Sequence, residues 1–347
     1  MVDFNPDAIG ISNGNLFGFP ITEKSADIIV IPVPWDVTAS YRKGSSQGPK
    51  AILEASIQLD FYHPKLENAH KTKVFMTPIS DEWLQVNEKL SIESTEYIQH
   101  LESGSDDHSE FSNFLVEVDH AHKALTSNLK ERCEKLLREN KILAVLGGEH
   151  STPLGLIQAL NNQHKNFGIL QIDAHADLRN SYENFNQSHA SIMFNVLKTC
   201  PNVSKLVQIG IRDISQGEID FIQSSKNRIR TFFDWDLKNE QYNGQNWAIQ
   251  VDKIISELPE KVYVSFDIDG LIPSLCPNTG TPVPGGFTLE EVNFLLFNIV
   301  EAGKKIIGFD LNEVSPGAST DIDANIGARA LWNLICLTEK SRRMYEV

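Results

Sequence analysis

The sequence predicts an α/β fold with three layers, α/β/α, in which helices cover both faces of a mainly parallel sheet. Short apolar runs rich in β-branched residues alternate along the chain with segments of helical periodicity. Such runs are typical of buried parallel strands, and six are predicted: residues 28–31, 142–146, 168–172, 206–209, 262–266 and 306–309. Because no repeat or linker interrupts this alternation, we expect a single domain over residues 1–347.

Several segments between these strands carry helix start signals. Pro49 suits the first turn of one helix, and Ser151 is expected to cap another. Thr288 and Glu291 form a capping box at the start of a third. Helical periodicity also extends over residues 114–136, 192–197 and 247–258. By contrast, the stretch at about 77–113 is acidic and lacks strand signals, so we interpret it as a solvated insertion, part helix and part mobile loop.

Composition restricts the partners. The net charge of −15 argues against nucleic-acid binding, which needs a basic face, and is compatible with a cationic small molecule. The four cysteines are scattered without a CxxC pair, which favours reduced thiols and a cytoplasmic location. The first residues lack the pattern of a secretory signal, and no apolar stretch approaches the ~20 residues that cross a bilayer. We therefore expect no membrane partner.

Three polar motifs each follow directly on a predicted buried strand. They are Gly147-Gly148-Glu149-His150, Asp173-Ala174-His175-Ala176-Asp177 and Asp267-Ile268-Asp269. Alone, each motif is a weak signal, because acidic pairs commonly cap turns and the glycines could simply make one. Together they bring two histidines and four aspartates to one sheet edge, where open α/β sheets bind ligands.

These six side chains are too many for one zinc ion and suit two divalent cations that share carboxylates. The predicted ligands are His150, Asp173, His175, Asp177, Asp267 and Asp269. An oxygen-rich set favours a hard ion such as Mn²⁺. The sequence therefore predicts a binuclear centre of a metal-dependent hydrolase.

With these motifs in place, the chain resembles the ureohydrolases, the family of arginase, agmatinase and formimidoylglutamase. Besides the three motifs, the resemblance includes residues 32–36, 41–44, 48–49, 209–213, 265–270, 279–282 and Glu313. It implies the arginase-like three-layer fold, two Mn²⁺ ions per subunit and a homo-oligomer, either a trimer or a hexamer.

The resemblance also implies a role for each site residue. His150 and Asp177 would bind one ion, His175 and Asp269 the other, and Asp173 and Asp267 would bridge them. Asp177 would also orient the attacking hydroxide. Glu313 would pair with the cationic group of the substrate, and His189 would carry a proton to the leaving amine. From the residues alone, Glu313 could be a surface ion-pair partner and His189 a structural histidine.

Departures from the family pattern bear on the substrate. Ser215 stands where arginases tend to have an acid for the α-amino group, and residues 178–185 resemble agmatinases. Arg179 could clamp a substrate carboxylate or pair with Glu183. Ile272 replaces a common aspartate, which leaves a hydrogen bond behind the metal ligands in doubt.

The leading hypothesis is an agmatinase-like enzyme that hydrolyses agmatine to putrescine and urea. Alternatives are formimidoylglutamase, which releases glutamate and formamide, and arginase. A non-catalytic metal-binding homologue is the alternative of another class.

Overall fold

The computed structural model describes residues 4–105 and 107–345. Its eight strands form one sheet in the order β2-β1-β3-β8-β7-β4-β5-β6, and every pairing is parallel. The strands are β1 Ile28–Val33, β2 Val74–Met76, β3 Ile142–Gly147, β4 Phe167–Ile172, β5 Val203–Ile211, β6 Ile229–Phe233, β7 Lys261–Asp267 and β8 Lys305–Asn312. All six predicted strands are present. The two that the sequence analysis missed, β2 and β6, are the edge strands.

Ten helices of eight residues or more flank this sheet in the described part of the chain. They are α1 Gly48–Ser56, α2 Asp81–Glu102, α3 Ser112–Arg138, α4 Leu154–Gln163, α5 Ile192–Thr199, α6 Gln216–Ser224, α7 Asp234–Tyr242, α8 Trp247–Glu257, α9 Leu289–Glu301 and α10 Ile322–Tyr345. Strand residues alternate between two apolar cores: Ile28 packs in one and Ile29 in the other. The alternation follows from the two-residue period of a strand. It confirms the three-layer α/β/α prediction.

Two of the three predicted helix starts are confirmed. Pro49 lies in the first turn of α1, and Thr288 caps α9 with Glu291 reaching back to the cap. The prediction for Ser151 is wrong. Helix α4 begins at Leu154, after a short turn, and the Ser151 hydroxyl donates a hydrogen bond to Glu149 Oε1 at 2.6 Å instead.

The acidic stretch at 77–113 contains helix α2, which spans most of it. One face of α2 is buried, including Asn87, Ser94 and Tyr97. The Asn87 side chain donates to Asp36 Oδ1 at 3.0 Å, and its own oxygen accepts from the Asp36 amide at 2.7 Å. Helix α2 therefore supports the loop after β1 as well as facing solvent.

None of the helices in the described ranges is both long and apolar enough to cross a membrane. The four cysteines are buried free thiols, as the scattered spacing predicts.

Candidate metal centre

The three polar motifs meet where β3, β4 and β7 end, because β7 lies between β4 and β8 and β8 adjoins β3. His150 Nδ1 lies 3.0 Å from Asp173 Oδ2, 3.0 Å from Asp177 Oδ2 and 3.3 Å from Asp267 Oδ2. One buried imidazole nitrogen thus faces three carboxylates from two other strands. One group that could hold a cation is His150, Asp173 and Asp267.

A second group adjoins the first. His175 Nδ1 lies 3.0 Å from Asp269 Oδ2 and 3.7 Å from Asp173 Oδ1. Asp173 therefore presents one carboxylate oxygen to each histidine. The second group that could hold a cation is Asp173, His175 and Asp269. The structure thus brings together all six residues that the sequence singled out.

The donor set fits a divalent cation. His150 Nε2 lies 2.8 Å from Ser265 Oγ, and the Ser265 hydroxyl donates to Asp310 Oδ1 at 3.0 Å. The Ser265 proton is donated to Asp310, so the imidazole donates through Nε2–H, and Nδ1 is the nitrogen that would offer a lone pair to a cation. That Nδ1 is buried and makes no hydrogen bond, although three carboxylates surround it. A lone pair and carboxylate oxygens converging on one point are metal donors, and the serine–aspartate pair orients the imidazole behind them.

The electrostatics of the bare cluster favour cation binding. Burial, together with the charge of Asp173, raises the pKa of Asp177 to about 7. Burial and the neighbouring Asp269 and Asp173 carboxylates raise the pKa of Asp267 well above its usual range. Packed carboxylates resist ionisation without a positive partner, and a bound cation supplies one.

The backbone around the cluster is tightly constrained. Asp177 (φ 54°) and Glu313 (φ 62°) adopt left-handed conformations that side-chain-bearing residues rarely use. Such strain persists only where surrounding contacts impose it, and it concentrates at functional sites. At Asp177 these contacts are the amides of Met193 and Phe194, which donate to its carbonyl. At Glu313 the amide donates to Gly148 O at 2.8 Å.

The glycines of the first motif are required by close packing rather than by an unusual φ. A Cβ on Gly148 would lie 2.8 Å from the carbonyl carbon and 2.9 Å from the nitrogen of Trp35, and closer still to its oxygen. A Cβ on Gly147 would overlap Asn312 Oδ1 and Thr152 Oγ1. Only glycine lets the chain pass between these groups.

Glu149 and Glu313 are two further buried carboxylates beside His150. Glu313 Oε1 accepts a hydrogen bond from the His150 amide at 2.9 Å, and burial and the Glu149 charge raise its pKa well above the usual range. Glu149 accepts from the Thr38 amide at 2.8 Å and the Thr38 hydroxyl at 2.6 Å. Burial raises the pKa of Glu149 to about 7. Glu149 therefore ties the loop after β1 to the metal-ligand loop.

A cavity of about 300 Å³ opens beside the cluster. His175, Asp177 and His189 line it. His189 Nε2 lies 3.4 Å from Ser40 Oγ, and the imidazole packs edge-on against the Tyr182 ring. Burial and the neighbouring His175 lower the pKa of His189 to about 3, so this imidazole is neutral at pH 7.

Arg179 also lines the cavity, and the sequence analysis left open whether it clamps a substrate carboxylate or pairs with Glu183. Its Nε lies 3.8 Å from Glu218 Oε2, and its guanidinium stacks 4.7 Å from the centre of the Tyr182 ring. No ion pair with Glu183 is formed within the described residues. Ile272 lines a separate cavity with Trp235. The Ser265–Asp310 pair supplies a hydrogen bond behind His150 that does not depend on residue 272.

Several polar residues of the site had no role in the sequence analysis. Gln171, Gln208, Ser265, Asp310 and Thr231 occupy one row across the sheet, since neighbouring strands pair Gln171 with both Gln208 and Ser265, Ser265 with Asp310, and Gln208 with Thr231. All five side chains are buried. Their signal in the sequence is a single polar residue inside an otherwise apolar strand, such as Gln171 in Phe167–Ile172.

Fold and site together define an α/β protein with a buried His/Asp cluster at the carboxyl edge of its sheet. A sequence model of the arginase family matches residues 26–336. The chain therefore belongs to the arginase family, and it is a hydrolase of amidino C–N bonds like its ureohydrolase homologues.

Two relatives and one solved structure illustrate this similarity. The chain is 29% identical to the N(1)-aminopropylagmatine ureohydrolase of Synechocystis sp., over 92% of this chain and 91% of that protein. It is 30% identical to the agmatinase of Blochmanniella floridana, over 87% of each. The fold is similar to the agmatine ureohydrolase of Thermoplasma volcanium, with a TM-score of 0.72, 22% identity and coverage of 96% and 97%.

Proposed function

We propose that this chain is a two-manganese ureohydrolase that acts on a linear guanidino amine, with agmatine as the substrate and urea and putrescine as products. The observation that supports this proposal most directly is the sharing of Asp173. Its two oxygens face two histidines that belong to different donor groups. Hard carboxylate oxygens with two imidazoles suit Mn²⁺.

In this proposal, His150 and Asp177 would hold one ion and His175 and Asp269 the other, with Asp173 and Asp267 available to both. Two adjacent divalent cations activate water as a nucleophile at neutral pH. Asp177, whose Oδ2 faces His150 at 3.0 Å, orients the attacking water by a hydrogen bond.

Glu313 and His189 act on the substrate in this scheme. Glu313 pairs with the guanidinium, whose planar N–H groups match a carboxylate. Because His189 is neutral at pH 7, it first accepts the proton that the attacking water releases and then transfers this proton to the leaving amine.

The charges of the cavity support an amine-bearing substrate. Besides Asp177, the cavity is lined by the carboxylates of Glu218 and Asp213. Glu218 accepts hydrogen bonds from the Leu178 amide and from the Ser215 amide and hydroxyl. Asp213 lines the same cavity, is exposed, and makes no side-chain hydrogen bond or ion pair with the described residues. Its carboxylate is available for the terminal ammonium of agmatine.

The same charges disfavour the other substrates. Formimidoylglutamate carries two carboxylates. Among the described residues, the cavity is lined by one Lys or Arg side chain, Arg179, which contacts Glu218 and Tyr182. Arginine would bring an α-carboxylate beside its α-amino group, and Arg179, which could pair with a carboxylate, already contacts Glu218 and Tyr182. A site with one free carboxylate matches a single distal cation.

A substrate panel tests the proposal. Manganese-loaded protein is assayed for urea and formamide with agmatine, N(1)-aminopropylagmatine, guanidinobutyrate, arginine and formimidoylglutamate. We expect urea release with the highest kcat/KM on agmatine. A higher kcat/KM on N(1)-aminopropylagmatine would support the urea-releasing reaction but contradict agmatine as the substrate. Formamide from formimidoylglutamate, or no turnover by protein that retains manganese, contradicts the proposal.

Asp213→Asn provides the matched variant. Agmatine ends in an ammonium and guanidinobutyrate in a carboxylate, while both carry the same reacting group. Loss of the Asp213 charge should raise KM for agmatine about tenfold, which is the lower end of the roughly 1.5–3 kcal/mol that a hydrogen bond to a charged group contributes, because Asp213 is exposed. The KM for guanidinobutyrate should be unchanged or lower. Equal effects on both substrates would remove Asp213 from amine recognition.

A further inference from the structure

The proposed metal ligand Asp173 accepts a hydrogen bond from a buried glutamine of strand β4. Gln171 Nε2 donates to Asp173 Oδ2 at 2.7 Å and to the His175 carbonyl at 3.1 Å. Both amide hydrogens are therefore used on the loop that carries the ligands. The remaining lone pairs of Asp173 stay available to cations.

A second glutamine, on the neighbouring strand, holds the first. Gln208 Nε2 donates to Gln171 Oε1 at 2.7 Å and to the Ala176 carbonyl at 2.7 Å. Thr231, on the edge strand β6, donates its hydroxyl hydrogen to Gln208 Oε1 at 2.8 Å. The three side chains lie at one register of β4, β5 and β6.

The direction of every hydrogen bond in this row is determined. The carbonyls of His175 and Ala176 can only accept, so the NH₂ group of each glutamine must face the ligand loop. Each glutamine oxygen then faces away from the loop and needs a donor. For Gln208 that donor is the Thr231 hydroxyl, which supports the orientation that the two carbonyls impose.

We propose that Thr231, Gln208 and Gln171 form a one-way hydrogen-bond relay that positions Asp173 and the 173–177 loop, and thereby sets the affinity of the metal centre. The inference rests on the proposed function, because it assumes that Asp173 is a metal ligand. The three are positioning residues. If Gln171 turned its oxygen toward Asp173, two acceptors would oppose each other in a buried site, which a low dielectric makes costly.

The relay predicts that a change on the edge strand reaches the metal ligands two strands away. Removing the Thr231 hydroxyl leaves the buried Gln208 oxygen without its donor, which weakens the hold of Gln208 on Gln171 and on the ligand loop. Partners behind metal ligands typically change metal affinity about 10–100-fold when mutated. We expect an effect of that size at Gln208 and roughly 3–10-fold at Thr231, since Thr231 is one step further from the ligand.

The test measures manganese affinity by competition with a fluorescent chelator, together with the melting temperature of the metal-free protein. The variants are Gln208→Met and Thr231→Val, which keep shape and remove hydrogen bonds. Thr231→Ser keeps the hydroxyl and should restore wild-type affinity. Thr338→Val is the control, because Thr338 is buried and its Oγ1 has no partner in the described structure.

We expect weaker manganese binding for Gln208→Met and Thr231→Val, and affinities within twofold of wild type for Thr231→Ser and Thr338→Val. Thr231→Val keeps the test decisive if Gln208→Met does not fold. Wild-type-like affinity in Thr231→Val, or equal weakening in Thr338→Val, overturns the relay while leaving the proposed function intact. A wild-type protein that binds no manganese overturns the proposed function, and the relay with it.

Discussion

Gly148→Ala tests whether close packing, rather than a turn, requires glycine in the first motif. The added Cβ would approach the carbonyl carbon and the nitrogen of Trp35 to 2.8 and 2.9 Å. Residues 148 and 149 cannot move away freely. Gly148 N donates to Val33 O at 2.9 Å, Glu149 N donates to Trp35 O at 2.8 Å, and Gly148 O accepts from Glu313 N.

The magnitude follows from these contacts. Forcing extra atoms into a packed site costs about 1–3 kcal/mol. Weakening two of the backbone hydrogen bonds adds about 1 kcal/mol each. The free energy of unfolding should therefore fall by about 3–5 kcal/mol. The next two residues are Glu149 and His150, so manganese affinity should fall as well.

The assay is denaturant unfolding of the metal-free protein at fixed pH, followed by manganese titration. Gly217→Ala is the matched control, since a Cβ there meets nothing within 4 Å and Gly217 lies inside helix α6. That substitution should be neutral or stabilising by about 0.5–1 kcal/mol. If Gly148→Ala unfolds within about 1 kcal/mol of wild type, the packing argument is refuted.

Three further predictions concern histidines and the metal. His189→Ala should lower kcat on agmatine about 10²–10⁴-fold without changing the bound manganese; a kcat within threefold of wild type would exclude proton transfer by His189. Burial lowers the pKa of His122 to about 4. Between pH 6.5 and pH 4 this imidazole is therefore protonated in the unfolded chain but neutral in the folded chain. The contribution of neutral His122 to the free energy of unfolding is therefore fully present above pH 6.5, and roughly 3 kcal/mol of it is lost as the pH drops to 4. Between pH 6.5 and pH 4, His122→Phe should flatten the dependence of the free energy of unfolding on pH, whereas His120→Gln, at an exposed position, should not. The same pH dependence in both variants would argue against a neutral His122. Dialysis against a chelator should abolish urea release and lower the melting temperature, because metal at 100 times its Kd stabilises by about 2.7 kcal/mol; full activity in metal-depleted protein would exclude a metal-dependent reaction.

The sequence by itself determined the class of fold and the composition of the cluster. Buried parallel strands are continuous apolar runs, and their carboxyl ends meet at one edge, so residues that follow β3, β4 and β7 had to lie together. The motifs after these strands therefore identified all six members of the cluster without knowledge of strand order. The start of helix α9 was also predictable, because Thr288 and its capping partner Glu291 are only three residues apart in the sequence.

Only the tertiary structure decided which residues support that cluster. Thr231 meets Gln208 across 23 positions of sequence, and Gln208 meets Gln171 across 37. Strand periodicity shows which face a side chain occupies but carries no information about the neighbouring strand or its register. The same limit applies to Arg179, whose partner is Glu218 on another segment rather than nearby Glu183. It applies also to Gly148, since the Trp35 backbone that excludes a Cβ comes from a loop more than a hundred residues earlier.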